Sequence, residues 1–303
     1  MRNKIFSVIL FCTLIVLTAC SPAVTEVAPA AAAPAPAAAT ATVPVEAAQP
    51  TTPAATATVE PAKQATTLTV LAAASLTESF TELGELFESK NPDVKVQFSF
   101  AGSQQLAQQL SQGAPADVFA SANLKYMTAV VEAERVDKST SQIFARNKLV
   151  VVYPKDNPAG ISQLTDLSKA GIKLILADKS VPVGNYSQQF LDKAIKDSAF
   201  GADYKDKVLA NTVSYEQDVK SVFTKVVMGE ADAGIVYSTD ITTDAADKVG
   251  RIDIPDELNT IAEYPIAPVI DAPNPEIAKD FVALVMSAEG QQVLAKYGFI
   301  AIP

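Results

Sequence analysis

The sequence predicts an α/β protein of two lobes, each a mainly parallel sheet flanked by helices, with a cleft between them. Three features predict this. From Thr66 to Pro303, short runs of apolar and β-branched residues alternate with segments of helical period, the pattern of a parallel sheet covered by helices. The alternation falls into two series, the second opening at Leu149. A composition of 49% hydrophobic and 19% charged residues over 303 positions is ordinary for globular protein and allows one or two folded units.

Each element has its own warrant. Thr67–Leu71 suits a buried strand, and Leu76, Phe80, Leu83 and Phe87 recur at helical spacing until Asn91-Pro92 stops the helix. Val94–Phe100 is a second strand, followed by a helix through Leu106 and Leu110 that ends at Gly113. Asp117–Ala120 is a third strand, with a helix through Tyr126 and Val130 after it. The second series has strands at Leu149–Tyr153, Ile172–Ala177 and Gly234–Tyr237, and helices at Tyr186–Lys196 and Asp218–Met228. Another apolar run surrounds Tyr264–Pro268. Two closing helices carry Ile277, Phe281, Leu284 and Val285, then Val293, Leu294 and Tyr297, and pack back on the first sheet. Two chain crossings then bound lobe 1 as 66–149 plus 262–303 and lobe 2 as 150–261, with the cleft at the C-terminal ends of strands.

Ahead of the folded part, residues 1–19 carry Arg2 and Lys4, an apolar stretch from Ile5 to Leu17 and then small residues, as a secretion signal does. The junction Leu17-Thr18-Ala19-Cys20 has the form of a bacterial lipoprotein cleavage site with Cys20 as the lipidated first mature residue. Residues 20–65 are then the anchor and a tether rich in Ala, Pro and Thr, whose prolines interrupt any helix and which offers no periodic apolar face. The only other cysteine, Cys12, lies within the signal, so no disulfide is expected in the folded part.

Composition also excludes chemistry. The chain has no histidine and no thiol outside Cys12 and Cys20, which removes histidine-dependent acid–base catalysis, thiol nucleophiles and His or Cys metal sites. No Gly-x-Ser-x-Gly elbow, Walker loop or Gly-x-Gly-x-x-Gly motif occurs. No catalytic residue, metal ligand or cofactor is therefore assigned, although plentiful carboxylates leave an extracytoplasmic carboxylate-based enzyme as an alternative. Removing Arg2 and Lys4 from 24 basic side chains, against 34 acidic ones, leaves a balance of −12. Such a chain repels nucleic acid and, at long range, small anions.

Two stretches, Leu71–Thr77 and Phe98–Ser103, place Ser75 and Ser103 where an apolar run gives way to a helix pattern. Unpartnered N–H groups at a helix start, with the positive end of its dipole and a serine hydroxyl, hold an anion without any charged side chain. The same residues have a plainer reading. Ser75 and Glu78 spell a capping box, Ser103 suits a simple cap, and Tyr237 in an apolar strand suits the core.

The order Ala73-Ala74-Ser75-Leu76, Phe100-Ala-Gly-Ser103 and Gly113-Ala-Pro-Ala-Asp117-Val-Phe-Ala-Ser121-Ala resembles the periplasmic molybdate-binding proteins of ABC importers. The likeness extends through Lys148-Leu-Val-Val-Val, Gly234-Ile-Val-Tyr237, Glu263-Tyr-Pro-Ile and Tyr297-Gly-Phe, and so covers residues 67–303. It implies a type II-like periplasmic-binding-protein fold with a tetrahedral oxyanion between the lobes. Carried over, Ser75 and Ser103 supply hydroxyls, Val183 and Val219 supply backbone N–H groups, and Tyr237 supplies its phenol. The sequence departs from the family pattern at Gln104, where relatives often have a small hydroxyl residue, and at Val183, bulkier than the alanine of some.

The resemblance implies a monomeric, lipid-anchored extracytoplasmic protein that captures molybdate, and tungstate with it, by hinge closure. A membrane permease with its cytoplasmic ATPase would be its partner. A donor-only pocket suits an anion without a proton, because burying the O–H of phosphate with no acceptor costs about 1–3 kcal/mol. Sulfate passes that test and is separated only by size, so a sulfate or phosphate receptor is the nearest alternative. With no histidine, affinity is expected to stay flat between about pH 6 and 8.

Overall fold

Two five-stranded sheets carry the fold in the computed structural model, which describes residues 65–302. Residues 1–64, with the expected signal, Cys20 and most of the tether, lie outside the described residues.

In chain order, the first sheet receives β1 (Thr66–Ala73), α1 (Thr77–Lys90), β2 (Val94–Ala101), α2 (Ser103–Ser111), β3 (Val118–Ala120), α3 (Leu124–Glu132) and β4 (Gln142–Asn147). The second is built from β5 (Leu149–Pro154), β6 (Leu174–Ala177), α4 (Pro182–Ala194), α5 (Tyr204–Ala210), β7 (Thr212–Glu216), α6 (Val219–Val227), β8 (Ala233–Tyr237) and β9 (Val249–Asp253). The chain then returns through β10 (Ala262–Pro268), α7 (Pro275–Met286) and α8 (Ala288–Lys296).

The strand orders are β2-β1-β3-β10-β4 and β7-β6-β8-β5-β9. Within them β1 pairs in parallel with β2 and β3, and β6 with β7 and β8. Each sheet also holds one reversed strand, β10 in the first and β5 in the second. Both are entered directly after the chain passes from one sheet to the other, Lys148 alone separating β4 from β5. No helical crossover intervenes there, so nothing imposes the parallel direction that a β-α-β unit requires.

Apolar side chains of β1 alternate between two covered faces, which explains its nearly unbroken burial. Leu68 and Val70 join Phe80, Phe87 and Phe281 from α1 and α7, whereas Leu71 joins Leu106, Leu110, Met127 and Val130 from α2 and α3. Phe281 meets Phe87 edge to face at 5.4 Å and Phe80 at 6.1 Å, so the closing helices do pack on the first sheet. Each such fully buried ring contributes about 1.5–3 kcal/mol through loss of apolar surface to water.

Short polar side chains cap some of the helix starts. Asn123 accepts the Tyr126 N–H at 3.1 Å to start α3, and Asp218 accepts the Ser221 N–H at 2.9 Å to start α6. Pro182 opens α4 at its first position, where the missing N–H is no loss. Gly184 is required there, because a Cβ would run into the carbonyl oxygen of Asp178.

Candidate functional site

Strand ends and helix starts from both sheets converge on one small cavity. The first sheet contributes Ala73, Ala74 and Ser75 after β1, Ala101, Gly102 and Ser103 between β2 and α2, and Ala122 after β3. The second contributes Val181, Pro182 and Val183 at the start of α4, Val219 at the start of α6, and Tyr237 at the end of β8. All five side-chain and backbone positions singled out in the sequence therefore line the same space. No charged side chain lines it among the described residues.

Its side-chain polar groups are hydroxyls that can donate. Ser103 Oγ accepts the N–H of Ala122 at 3.0 Å, which takes one of its two lone pairs and leaves its own proton free. Ser75 Oγ lies 3.0 Å from the hydroxyl of Tyr264, both groups buried. Val183 and Val219 are the second and first residues of their helices, so their N–H groups precede the first intrahelical acceptor. The Asp218 carboxylate ahead of Val219 is turned to the N–H and hydroxyl of Ser221. Tyr237 is 1% exposed and its hydroxyl has no hydrogen-bond partner among the described residues. Burial, with Tyr264, Tyr186 and Asp240 nearby, holds its pKa well above the ordinary phenol value, so it remains a neutral O–H donor.

The capping alternative for Ser75 does not hold. Ser75 sits in a 3-10 turn, Ala74–Leu76, ahead of α1, and the N-cap of α1 is Leu76, with no side-chain cap. Its hydroxyl is engaged by Tyr264, and Glu78 turns to Lys220. Nor does Ser103 cap α2, since Gly102 holds the N-cap position and Ser103 is the first helical residue.

Residues 68–300 match the family model described as bacterial extracellular solute-binding protein. The chain belongs to this family. The molybdate-binding protein ModA of Mycobacterium tuberculosis is 38% identical over 239 residues, covering 79% of this chain and 86% of that one. Among solved structures, the Azotobacter vinelandii periplasmic molybdate-binding protein superposes with a TM-score of 0.68 at 19% identity, covering 78% of this chain and all of that one. The sulfate-binding protein SubI from Mycobacterium tuberculosis superposes with a TM-score of 0.69 at 21% identity, covering 78% and 87%. At such identities the structural likeness speaks for the fold alone, a pair of α/β sheets as the sequence predicts.

Around the cavity of this solute-binding protein, polar contacts tie the two sheets' sides together. Gln104 Nε2 donates to the carbonyl of Gln217 at 2.7 Å, and the Tyr126 hydroxyl donates to the carbonyl of Ser180. Gly102 must be glycine for the first contact, because a Cβ there would meet the Gln217 carbonyl oxygen well inside van der Waals distance. Lys220 on α6 reaches both carboxylate oxygens of Glu78 on α1 at 2.8 Å and lies 3.5 Å from Asp240.

Asp240 is fully buried just behind Tyr237, whose N–H it accepts at 2.9 Å. Burial raises its pKa to about 6 against the opposing pull of Lys220 and that N–H. It is a carboxylate that titrates at the lower edge of the range where composition alone predicts no titration. Residue-by-residue reading missed Asp240, Tyr264, Asn147 and the reach of Gln104. Only Tyr264 carried a signal, a tyrosine inside the apolar run Tyr264–Pro268.

Proposed function

We propose that this protein captures a fully deprotonated tetrahedral oxyanion, molybdate and with it tungstate, and delivers it to an ABC importer. Ser75, Ser103, Tyr237 and the N–H groups of Val183 and Val219 hold the anion between lobe 1 (66–149 with 262–303) and lobe 2 (150–261). The observation that carries this reading is the uncharged lining of the cavity, with hydroxyls and helix-start N–H groups able to donate. Ser103 is already an acceptor on its inner side, Tyr237 is neutral and unpartnered, and no carboxylate or ammonium group faces the space. The lining supports binding rather than catalysis, since it offers neither a base nor a nucleophile activated by one.

The mechanism follows from the two-sided origin of the donors. An anion bound by either side alone leaves the other set unpaired, so it favours the closed arrangement by the difference in its affinity for the two states. Phosphate is excluded because its proton finds no acceptor, and sulfate because a smaller anion leaves some donors unmet. The mature chain begins at Cys20, whose lipid holds the protein on the outer side of a membrane next to the permease. No helix among the described residues is long and apolar enough to cross a membrane.

Calorimetry of the purified protein with molybdate, tungstate, sulfate and phosphate tests the ligand. Tight binding of the first two, with sulfate and phosphate much weaker, is the expected result. Failure to bind either would refute the reading, and preference for sulfate would make this a sulfate receptor. Mass analysis of the N-terminal peptide, expected to start at a diacylglyceryl-modified Cys20, tests the anchor.

A further inference from the structure

We propose that Tyr264 is a positioning residue that, by donating to Ser75 Oγ, biases Ser75 toward donating its proton into the cavity and so disfavours anions that carry a proton of their own. The inference deepens the oxyanion reading above and rests on it. It assigns the origin of selectivity to a residue that lies behind the cavity and does not line it.

The direction of the hydrogen bonds can be read from one backbone group. The N–H of Lys148, which can only donate, lies 2.9 Å from Oδ1 of Asn147, and the Ser238 hydroxyl donates to the same oxygen at 3.1 Å. The amide is thereby oriented, with Nδ2 facing Thr239 Oγ1 at 2.8 Å and the Tyr264 hydroxyl at 3.4 Å. Tyr264 is fully buried, so its phenolic proton needs an acceptor within the protein. Of its two hydrogen-bonding neighbours, Asn147 Nδ2 can only donate, and Ser75 Oγ at 3.0 Å is the acceptor that remains. Burial raises the Tyr264 pKa, so that proton stays in place at any working pH.

Ser75 Oγ thus receives a hydrogen bond from behind, as Ser103 Oγ does from the Ala122 N–H. The two serines differ in what orients them. Ser103 is set by a backbone group that no side-chain change removes, whereas Ser75 is set by a phenol. A serine that is free to rotate offers a proton or a lone pair, and a lone pair is what the O–H of hydrogen phosphate requires. With Tyr264 donating to Ser75 Oγ, one of its two lone pairs is taken and its O–H is polarised as a donor, so Ser75 favours offering its proton and a protonated anion is bound less well.

The test is Tyr264→Phe, which keeps the ring that packs edge to face on Tyr237 at 5.8 Å, Phe144 at 6.2 Å and Phe299 at 5.5 Å. Affinities for molybdate, sulfate and phosphate are measured at pH 7, phosphate by competition. The variant is expected to lose about threefold in molybdate and sulfate affinity, the weight of a hydrogen bond between neutral groups. Phosphate should lose less or gain, so the molybdate-to-phosphate ratio narrows by about threefold or more. In a Ser75→Ala background the same substitution should leave that ratio unchanged.

Equal losses for all three anions, or an unaltered ratio, would overturn the positioning role. A wild-type protein that binds none of them would instead refute the oxyanion reading itself, whatever the variant does. If Tyr264→Phe does not fold by circular dichroism, Asn147→Asp gives the same readout. It puts an acceptor where Nδ2 stands, draws the Tyr264 proton away from Ser75 and should narrow the ratio in the same sense, and an unchanged ratio overturns the proposal equally.

Discussion

Removing the Tyr237 hydroxyl should move stability and affinity in opposite directions. The group is 1% exposed and finds no partner among the described residues, so in the empty protein it is a buried donor without compensation. A buried, unsatisfied hydroxyl costs about 1–3 kcal/mol, and Tyr237→Phe keeps the ring and its packing on Tyr264 while removing that cost. A folded part of this size shifts its melting temperature by about 2–4 °C per kcal/mol, so the empty variant should melt several degrees higher than wild type. The bound anion, by contrast, loses a hydrogen bond to a charged acceptor worth about 1.5–3 kcal/mol, a drop of roughly ten- to hundredfold in affinity. Differential scanning calorimetry without ligand and titration calorimetry with molybdate give the two numbers. If the empty variant melts lower, or if affinity is unchanged, Tyr237 is an ordinary core residue and the argument from its unpaired hydroxyl fails.

Other expectations come from the contacts around the cavity. Gly102→Ala should push back the Gln217 carbonyl at an overpacking cost of about 1–3 kcal/mol, weakening molybdate binding while far-UV circular dichroism stays unchanged; undiminished affinity would show that the two sides need not approach so closely. Asp240 has a folded-state pKa raised to about 6 from 3.8, so the unfolded chain gives up this proton first, and its contribution to stability falls as pH rises from about 4 to about 6. Asp240→Asn should therefore gain on wild type by about 3 kcal/mol across that interval, seen as diverging melting temperatures, and parallel curves would contradict the assigned shift. Because the chain as a whole is acidic, stopped-flow rates of molybdate capture should rise with sodium chloride, and rates that fall would mean that local charge dominates the approach.

What was legible in the sequence followed from burial. Strands covered on both faces, such as Leu149–Pro154 and Ala233–Tyr237, read as nearly continuous apolar runs, and helices such as Thr77–Lys90 show a repeating apolar stripe. The strands that escaped notice include the two edges of the second sheet, Thr212–Glu216 and Val249–Asp253. They are five residues long and alternate between half-buried and exposed positions, so their pattern is too short and too polar to stand out. The reversed direction of Leu149–Pro154 and Ala262–Pro268 left no mark either, since apolar patterning carries no sign of direction.

The candidate site shows the same division. Ser75 and Ser103 are visible as serines at strand-to-helix junctions, and the family resemblance supplies Val183, Val219 and Tyr237. The residues behind them are not visible, because a contact between Ser75 and Tyr264 joins positions 189 residues apart. Gln104 is the instructive case. It departs from the family pattern in sequence, and in the structure its long amide spans to Gln217, something a small hydroxyl residue could not do.

A cavity lined without charge has a consequence for whatever receives the protein. Under the proposed function, uptake of a dianion would add two negative charges to a body that is already strongly acidic, with no charged side chain in the lining to offset them. Both states stay strongly negative, and salt screening mutes the two-charge difference beyond a Debye length. A docking partner of such a carrier would then gain little from charge, and the outline of the molecule would be the better signal of loading.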